Sequence, residues 1–136
     1  YKEKTMKTII VILLIAILLF ISFKFLTTKE ESASSYNKIT VDEAKEMMEK
    51  EDVIIIDVRT EDEYNTSHIK NAVLIPNETI GNEKLKEVSN LNQKIIVYCR
   101  SGARSKKAAM KLINIGYKNV YDMGGIMNWP YETVTK

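Results

Sequence analysis

The apolar residues of this 136-residue chain fall into three patterns, and each pattern predicts a different kind of element. Residues 8–26 are continuously apolar, with Lys24 as their only charge. Residues 53–58 and 94–99 are short runs rich in β-branched residues, which is typical of strands buried on both faces of a parallel sheet. Residues 41–50 and 104–114 carry apolar side chains at helical spacing, which predicts amphipathic helices.

The long apolar run has the length and flanks of a membrane anchor. As a helix, residues 8–26 would span roughly 28 Å, close to the hydrocarbon thickness of a bilayer. Lys24 lies near its outer end, where a long side chain reaches the interface. Lys2, Lys4 and Lys7 precede the run and favour a cytoplasmic N-terminus. We therefore expect residues 1–26 to form a single transmembrane helix at the cell membrane, with the following domain on the extracytoplasmic side.

A cleaved signal peptide is the alternative for this segment. The uninterrupted apolar part, residues 9–23, has only 15 members, and Ser32-Ala33-Ser34 offers small residues to a peptidase. The long distance from Phe23 to that site favours the uncleaved anchor; cleavage would give a secreted protein. Residues 27–35 are polar and are expected to be a flexible linker to a folded domain at 36–136.

Helical and strand patterns alternate through residues 36–136. Two capping boxes, Thr40 to Glu43 and Thr60 to Glu63, predict helix starts, and Gly116 predicts the end of the helix over 104–114. Further elements are expected as a strand at 72–75, a helix at 83–88, a strand at 119–121 and a short final helix carrying Trp129. This alternation predicts an α/β domain with a mainly parallel sheet.

Charge and cysteine content narrow the possible partners. The chain has a formal net charge of +2, but residues 36–136 contain equal numbers of basic and acidic residues. No broad basic field is therefore available, and we expect no nucleic-acid partner. One Cys and one His in the whole chain exclude a closed zinc site of four Cys and His ligands and an intramolecular disulfide. We expect neither a metal nor a cofactor.

Cys99 is the candidate nucleophile. It ends the most apolar strand of the domain, and ligands of open parallel sheets bind beyond the carboxyl ends of the strands. The following loop can turn its backbone N–H groups inward, and the next helix adds the positive end of its dipole. Such a field lowers the pKa of a thiol and stabilises a persulfide anion. The alternative is a small buried apolar side chain.

Several cations surround this cysteine loop, at the positive end of a helix dipole where cations are unfavourable. An anionic ligand would offset that repulsion. We expect Arg100 and Arg104 to contact such a ligand, and Lys106, Lys107 and Lys111 to form a solvated helix face. The candidate substrate-binding residues are those of the loop: Arg100, Ser101, Gly102, Ala103, Arg104 and Ser105.

The ordered motifs of residues 36–136 resemble those of the rhodanese family. They are Asp57-Val58-Arg59, Glu63-Tyr64, His68-Ile69, Asn71-Ala72 before Ile75-Pro76, Tyr98-Cys99-Arg100-Ser101-Gly102, and Gly124-Gly125 before Trp129. The resemblance implies a five-stranded, mainly parallel sheet with helices on both faces. It also implies that Cys99 accepts a sulfane sulfur from a small anionic donor, such as thiosulfate, and passes it to cyanide, a thiol or a protein.

The resemblance assigns lesser roles to the other motif residues. Asp57 and Arg59 are expected to orient the site or brace the sheet, and His68 to be structural. Ser67 stands where the family commonly has Gly, a change that alters a turn but no reacting group. Trp129 and the paired glycines are interpreted as a core aromatic held by a tight turn.

Two other functions remain open at this point. Cysteine phosphatases and arsenate reductases also bind oxyanions in a cysteine loop. In the phosphatase motif five residues separate the Cys from an Arg, whereas here four residues separate Cys99 from Arg104. No Asp lies close to Cys99 in the sequence as an obvious general acid, and an Asp from a distant loop is left open. The second alternative is a membrane-tethered binding or redox-sensing module without turnover.

Overall fold

The computed structural model describes residues 1–27 and 36–136, and the chain divides into two compact units, residues 1–32 and 33–136. Apart from Thr27, the predicted linker lies outside the described residues. The first unit contains helix α1, Lys2–Thr27. Its segment Lys2–Phe23 has a mean hydropathy of 2.8 and no buried side chain. By length and composition it is able to cross a membrane, although an N-terminal signal sequence meets the same criteria.

The second unit is built on one sheet of five parallel strands, as the family resemblance implies; β1 was not predicted from the residue pattern. The strand order is β1-β5-β4-β2-β3, and every neighbouring pair is parallel. The strands are β1 Asn37–Lys38, β2 Val53–Asp57, β3 Val73–Leu74, β4 Lys94–Cys99 and β5 Asn119–Gly125. Strand β4 lies at the centre, so the cysteine at its carboxyl end is flanked by β2 and β5.

Helices cover both faces of this sheet, because the side chains of β4 alternate between two apolar clusters. Ile95, Val97 and Cys99 face helix α4, Ala103–Ile115, and its buried Ala108, Ala109 and Leu112. Ile96 and Tyr98 face the opposite side, which α2, Val41–Lys50, and α3, Glu61–Thr66, cover. Because successive side chains of β4 point to opposite faces of the sheet, the end of β4 lies between two packed layers.

The predicted helix ends follow from local chemistry. Thr40 and Thr60 each accept a hydrogen bond from the backbone N–H three residues later, and Glu43 and Glu63 bond back to the cap residues. Gly116 ends α4 in the left-handed conformation, at φ +116°. Both capping boxes and the glycine stop are confirmed.

The helix predicted at residues 83–88 is wrong. Leu85 and Val88 are buried at helical spacing, but the segment runs without a regular helix from the 3₁₀ turn Asn77–Thr79 to β4. The N–H of Leu85 donates instead to the hydroxyl of Tyr117 over 2.9 Å. That hydroxyl donates to the carbonyl of Val88. The hydroxyl of Tyr117, which is distant in sequence, therefore bonds the backbone at both ends of a turn from Leu85 to Val88.

Two predictions for the C-terminal part differ from the structure: the last strand is longer than predicted, and the final helix is shorter. Strand β5 continues four residues beyond the predicted end at Tyr121, because Gly124 and Gly125 pair with Tyr98 and Cys99 beyond a β-bulge in β5, where Met123 is the extra residue. The final helix is only a 3₁₀ turn, Ile126–Asn128, with Trp129 directly after it.

Candidate active site

Cys99 lies where the central strand meets the helix that covers it. Residues 99–105, here called the cysteine loop, leave β4, turn at Gly102 and enter α4 at Ala103. Gly102 has φ +114°, a left-handed conformation that glycine adopts without strain. Arg100, Ser101 and Ala103 are exposed, whereas Cys99 and Ser105 are buried. The predicted loop residues therefore surround one buried sulfur atom.

The Cys99 thiol is held by hydrogen-bond donors of this loop. The N–H of Gly102 donates to Sγ over 3.0 Å. Burial raises the pKa of the thiol, but the N–H and hydroxyl of Ser105 and the N–H groups of Gly102 and Ser101 outweigh it. The net effect lowers the pKa of Cys99. Donors that stabilise a thiolate also favour any anion carried by the same sulfur.

Ser105 is fully buried, as Cys99 is. Its hydroxyl donates to the carbonyl of Gly102 over 3.0 Å and so closes the first turn of α4. The hydroxyl has a single proton, which serves either that carbonyl or the Cys99 sulfur. Ser105 thus connects the loop conformation with the state of the thiol.

Gly124 and Gly125, at the end of β5, pack against the cysteine loop. The sequence interpretation assigned them only to a tight turn. A Cβ atom on Gly125 would stand 2.2 Å from the carbonyl oxygen of Arg100. The same carbonyl accepts a hydrogen bond from the N–H of Met127 over 3.2 Å. The absence of a side chain at Gly125 therefore lets β5 approach the cysteine loop. The sequence signal for this contact was the pair Gly124-Gly125 shortly before Trp129.

Arg104 is turned to a carboxylate of α3. Its two terminal nitrogens donate to Glu63 over 2.7 and 2.9 Å. The hydrogen bond from Arg104 lowers the pKa of Glu63 to about 2, together with its capping bonds from Thr60 and against partial burial. Arg104 was predicted to contact a ligand, and Glu63 was assigned only to a capping box. The structure joins them as one ion pair beside the loop.

Arg100 has a different environment. Its guanidinium is exposed and forms no ion pair within the described ranges. It borders a cleft of about 530 Å³ that also contacts Arg59, α3 and the 3₁₀ turn after β5. Of the two arginines predicted to contact an anion, Arg100 is the one that is available.

Asp57 and Arg59 form a buried pair at the carboxyl end of β2. The Arg59 Nη2 lies 2.7 Å from the Asp57 Oδ2, and Tyr98 donates its hydroxyl to the same oxygen over 2.7 Å. The Tyr98 oxygen also accepts the N–H of Ile69 over 3.1 Å. Burial and the adjacent Asp57 carboxylate raise the pKa of Tyr98 far above its usual range. This network joins β2 and β4 next to the cysteine loop.

His68 lies on the segment after α3, where it is buried. Its Nδ1 lies 2.8 Å from the carbonyl of Tyr64. A carbonyl only accepts, so Nδ1 carries a proton. The ring stacks on Tyr64 with centroids 3.7 Å apart, and the His68 backbone pairs with Val134. These contacts agree with the structural role expected for His68.

Comparisons with known proteins bear on the family and the fold of this chain. A profile described as "Rhodanese-like domain" matches residues 40–131. A thiosulfate sulfurtransferase of Coxiella burnetii named GlpE is 34% identical over 95 residues, covering 69% of this chain and 87% of that protein. The crystal structure of a rhodanese-like domain protein from Staphylococcus aureus is 36% identical, covers 74% of this chain and 98% of that one, and has a TM-score of 0.65.

Some relatives are much longer. The tRNA uridine(34) hydroxylase of Hamiltonella defensa is 35% identical over 92 residues, which are 64% of this chain. This chain spans only 26% of that hydroxylase. The likeness therefore concerns one domain of the longer protein.

Proposed function

The chain belongs to the rhodanese-like family, and from this premise we propose that it is a sulfurtransferase with Cys99 as the sulfur-carrying nucleophile. The observation that carries the proposal is the 3.0 Å hydrogen bond from the N–H of Gly102 to the buried Sγ. The lowered pKa of Cys99 supports it, because only the thiolate attacks a sulfane sulfur.

Thiosulfate is the simplest donor for the first half of the reaction. The Cys99 thiolate attacks the outer sulfur of thiosulfate and forms a new S–S bond. The S–S bond of the donor breaks, and its electron pair leaves with sulfite. Cys99 is then a persulfide anion, which the loop N–H groups stabilise as they stabilise the thiolate.

The second half returns Cys99 to its starting state. A thiophilic acceptor, which is cyanide, a thiol or a protein thiol, attacks the outer sulfur of the persulfide. The bond between that sulfur and Sγ breaks, and Cys99 leaves as a thiolate. A low thiol pKa aids this step as well, because a weaker base is a better leaving group.

We assign the remaining groups by their contacts. Arg100 is exposed beside the loop, forms no ion pair with another described residue and attracts the anionic donor. Arg104 is a positioning residue, since its pair with Glu63 fixes the first turn of α4 against α3. Asp57 and Arg59 hold the end of β2 beside the end of β4. The proposed reaction needs no dedicated proton donor, which agrees with a structural His68.

The zero net charge of residues 36–136 favours sulfur transfer over an activity on tRNA, the molecule in the names of the longer relatives. Residues 36–136 carry no net charge, so a broad phosphate-binding surface for tRNA has no support here. Sulfur transfer also has direct support from the relative that this chain nearly spans, whose name is thiosulfate sulfurtransferase.

We also propose that residues 8–26 anchor the protein in the cell membrane, with residues 36–136 on the extracytoplasmic side. The support is the apolar stretch within Lys2–Phe23 and the three lysines ahead of residue 8. The sulfur donor and acceptor would then be molecules outside the cytoplasm, and secretion after cleavage is the competing outcome.

A turnover assay tests the proposed activity. The full chain in detergent is incubated with thiosulfate and cyanide, and thiocyanate release is followed. Cys99→Ser is the matched variant, because it retains the size and loses the nucleophile. We expect release from the wild type alone. Hydrolysis of an aryl phosphate in a parallel assay, without thiocyanate release, would instead support a phosphatase. Neither activity in a folded protein would favour a tethered binding module.

A further inference from the structure

The cleft beside Arg100 contains one charged group, Asp62, to which the proposed sulfur transfer gives no role. Four charged side chains line it. Arg59 is paired with Asp57 and Glu63 with Arg104, so these two are already neutralised. Asp62 and Arg100 have no ion-pair partner among residues 1–27 and 36–136. One carboxylate and one guanidinium are therefore available in the same cleft.

These two charges come from different elements. Asp62 lies in the first turn of α3, and Arg100 directly follows Cys99. They form no ion pair with each other, since no such pair within 4 Å is found between described residues. Ile126 and Met127 add apolar surface, and Thr66 adds a hydroxyl. A volume of about 530 Å³ suits a small molecule.

We propose that this cleft is the acceptor subsite of the sulfurtransferase and that it selects zwitterionic aminothiols, meaning cysteine and small peptides with an N-terminal cysteine. Arg100 binds the carboxylate of the acceptor and Asp62 binds its ammonium group. The acceptor is then bound beside Arg100, which directly follows Cys99 in the chain. This inference rests on the proposed function, because it assumes a persulfide on Cys99.

The transfer step balances without a further reactant. The aminothiol loses its proton to solvent, and its thiolate attacks the outer sulfur of the Cys99 persulfide. A new S–S bond forms on the acceptor, and the bond from the outer sulfur to Sγ breaks. Cys99 leaves with the electron pair as a thiolate, and the acceptor leaves as a persulfide.

A series of four thiols tests the two charge contacts. The full chain in detergent is loaded with thiosulfate, freed of excess donor and mixed with each thiol, and loss of the added sulfur is followed by mass spectrometry. Cysteine has both charges, N-acetylcysteine lacks the ammonium, cysteamine lacks the carboxylate and 2-mercaptoethanol lacks both. Each rate is divided by that of the same thiol with a small persulfide, which removes differences in intrinsic reactivity. We expect cysteine to exceed each of the others by about fivefold or more.

Asp62→Asn isolates the contact with the ammonium group. We expect it to slow discharge by cysteine about fivefold and to leave discharge by N-acetylcysteine and cyanide unchanged. Glu61→Gln is the matched control, because it removes the same charge from the same helical turn but lies outside the cleft. That control should behave as the wild type.

The outcomes separate this inference from the function on which it rests. A persulfide that forms on Cys99 and reacts with all four thiols at equal normalised rates would overturn the aminothiol subsite and leave the sulfurtransferase intact. Equal effects of Asp62→Asn and Glu61→Gln would overturn it as well. Failure to load Cys99 with sulfur from any donor would overturn both proposals.

Discussion

At the scale of single residues, the state of Cys99 depends on competing effects. Cys99 is only 1% exposed, and burial alone would raise the pKa of its thiol. Donors from Ser105, Gly102 and Ser101 reverse that effect and lower the pKa. The reactivity of Cys99 is thus a property of the loop conformation, and changes to neighbours that never touch substrate should alter it.

Ser105→Ala should raise the pKa of Cys99, because it removes the Ser105 hydroxyl, which is one of the donors that stabilise the thiolate. Alkylation by iodoacetamide as a function of pH measures this directly. We expect the inflection to move to higher pH and the rate at pH 7 to fall roughly fivefold, equivalent to about 1 kcal/mol for one hydrogen bond. An unchanged pH profile would show that Ser105 serves only the Gly102 carbonyl.

Gly125→Ala should displace the cysteine loop. Its Cβ would lie 2.2 Å from the carbonyl oxygen of Arg100. This is a backbone atom, so the clash cannot be relieved by a change of side-chain rotamer. We expect a loss of about 1–3 kcal/mol in the free energy of unfolding and a larger loss of thiocyanate release. Gly81→Ala is the control, since nothing lies within 4 Å of its added Cβ. Equal stability and activity of the two variants would contradict the close approach of β5.

At the scale of elements, local chemistry explains which predictions succeeded. Each capping box lies within four consecutive residues, so its sequence alone predicts a helix start. Residues 83–88 depend on the side chain of Tyr117, and the end of β5 depends on its pairing with the end of β4 beyond a bulge at Met123. Sequence patterns do not contain such long-range pairing, and this is why these two predictions failed.

The Glu63–Arg104 pair joins α3 to α4 and should depend on pH. Its carboxylate has a pKa of about 2 in the folded protein, against an ordinary 4.5. A lowered folded pKa adds stability above the unfolded value and loses it as pH falls toward the folded one. Glu63→Gln, which retains a capping side chain, should lower the free energy of unfolding by about 1–2 kcal/mol at pH 7.

Urea denaturation of wild type and Glu63→Gln at several pH values measures this effect. The difference between them should shrink between about pH 5 and pH 2, since protonation of the wild-type carboxylate removes the same ion pair. Glu43→Gln changes the equivalent box of α2, which has no arginine partner, and should show a smaller difference at pH 7. A pH-independent difference for Glu63→Gln would refute the ion-pair explanation.

At the scale of the whole molecule, the site was only partly predictable. The cysteine loop is continuous in sequence and adjoins a recognisable strand, so its residues were identified together. Glu63 and Gly125 reach the loop through the sheet topology, and neither the capping box nor the glycine pair reveals that contact. Arg104 was predicted to contact a ligand. Its actual partner, Glu63, lies 41 positions away in the chain, and the sequence pattern does not indicate that pairing.

Membrane topology is a second property of the whole chain. In bacterial spheroplasts, protease added outside should degrade residues 36–136, and inverted vesicles should protect them. Replacing Lys2, Lys4 and Lys7 by Glu should increase the fraction with the opposite orientation. A soluble product shortened near residue 34 would show cleavage of a signal peptide instead and would overturn the anchor.

The central claim is that Cys99 carries sulfur, and intact-mass spectrometry of the thiosulfate-treated full chain tests it most directly. We predict the mass of one added sulfur atom on Cys99, its loss on addition of cyanide, and no adduct in Cys99→Ser. A folded wild-type protein that gains no sulfur from thiosulfate or from polysulfide would contradict the claim.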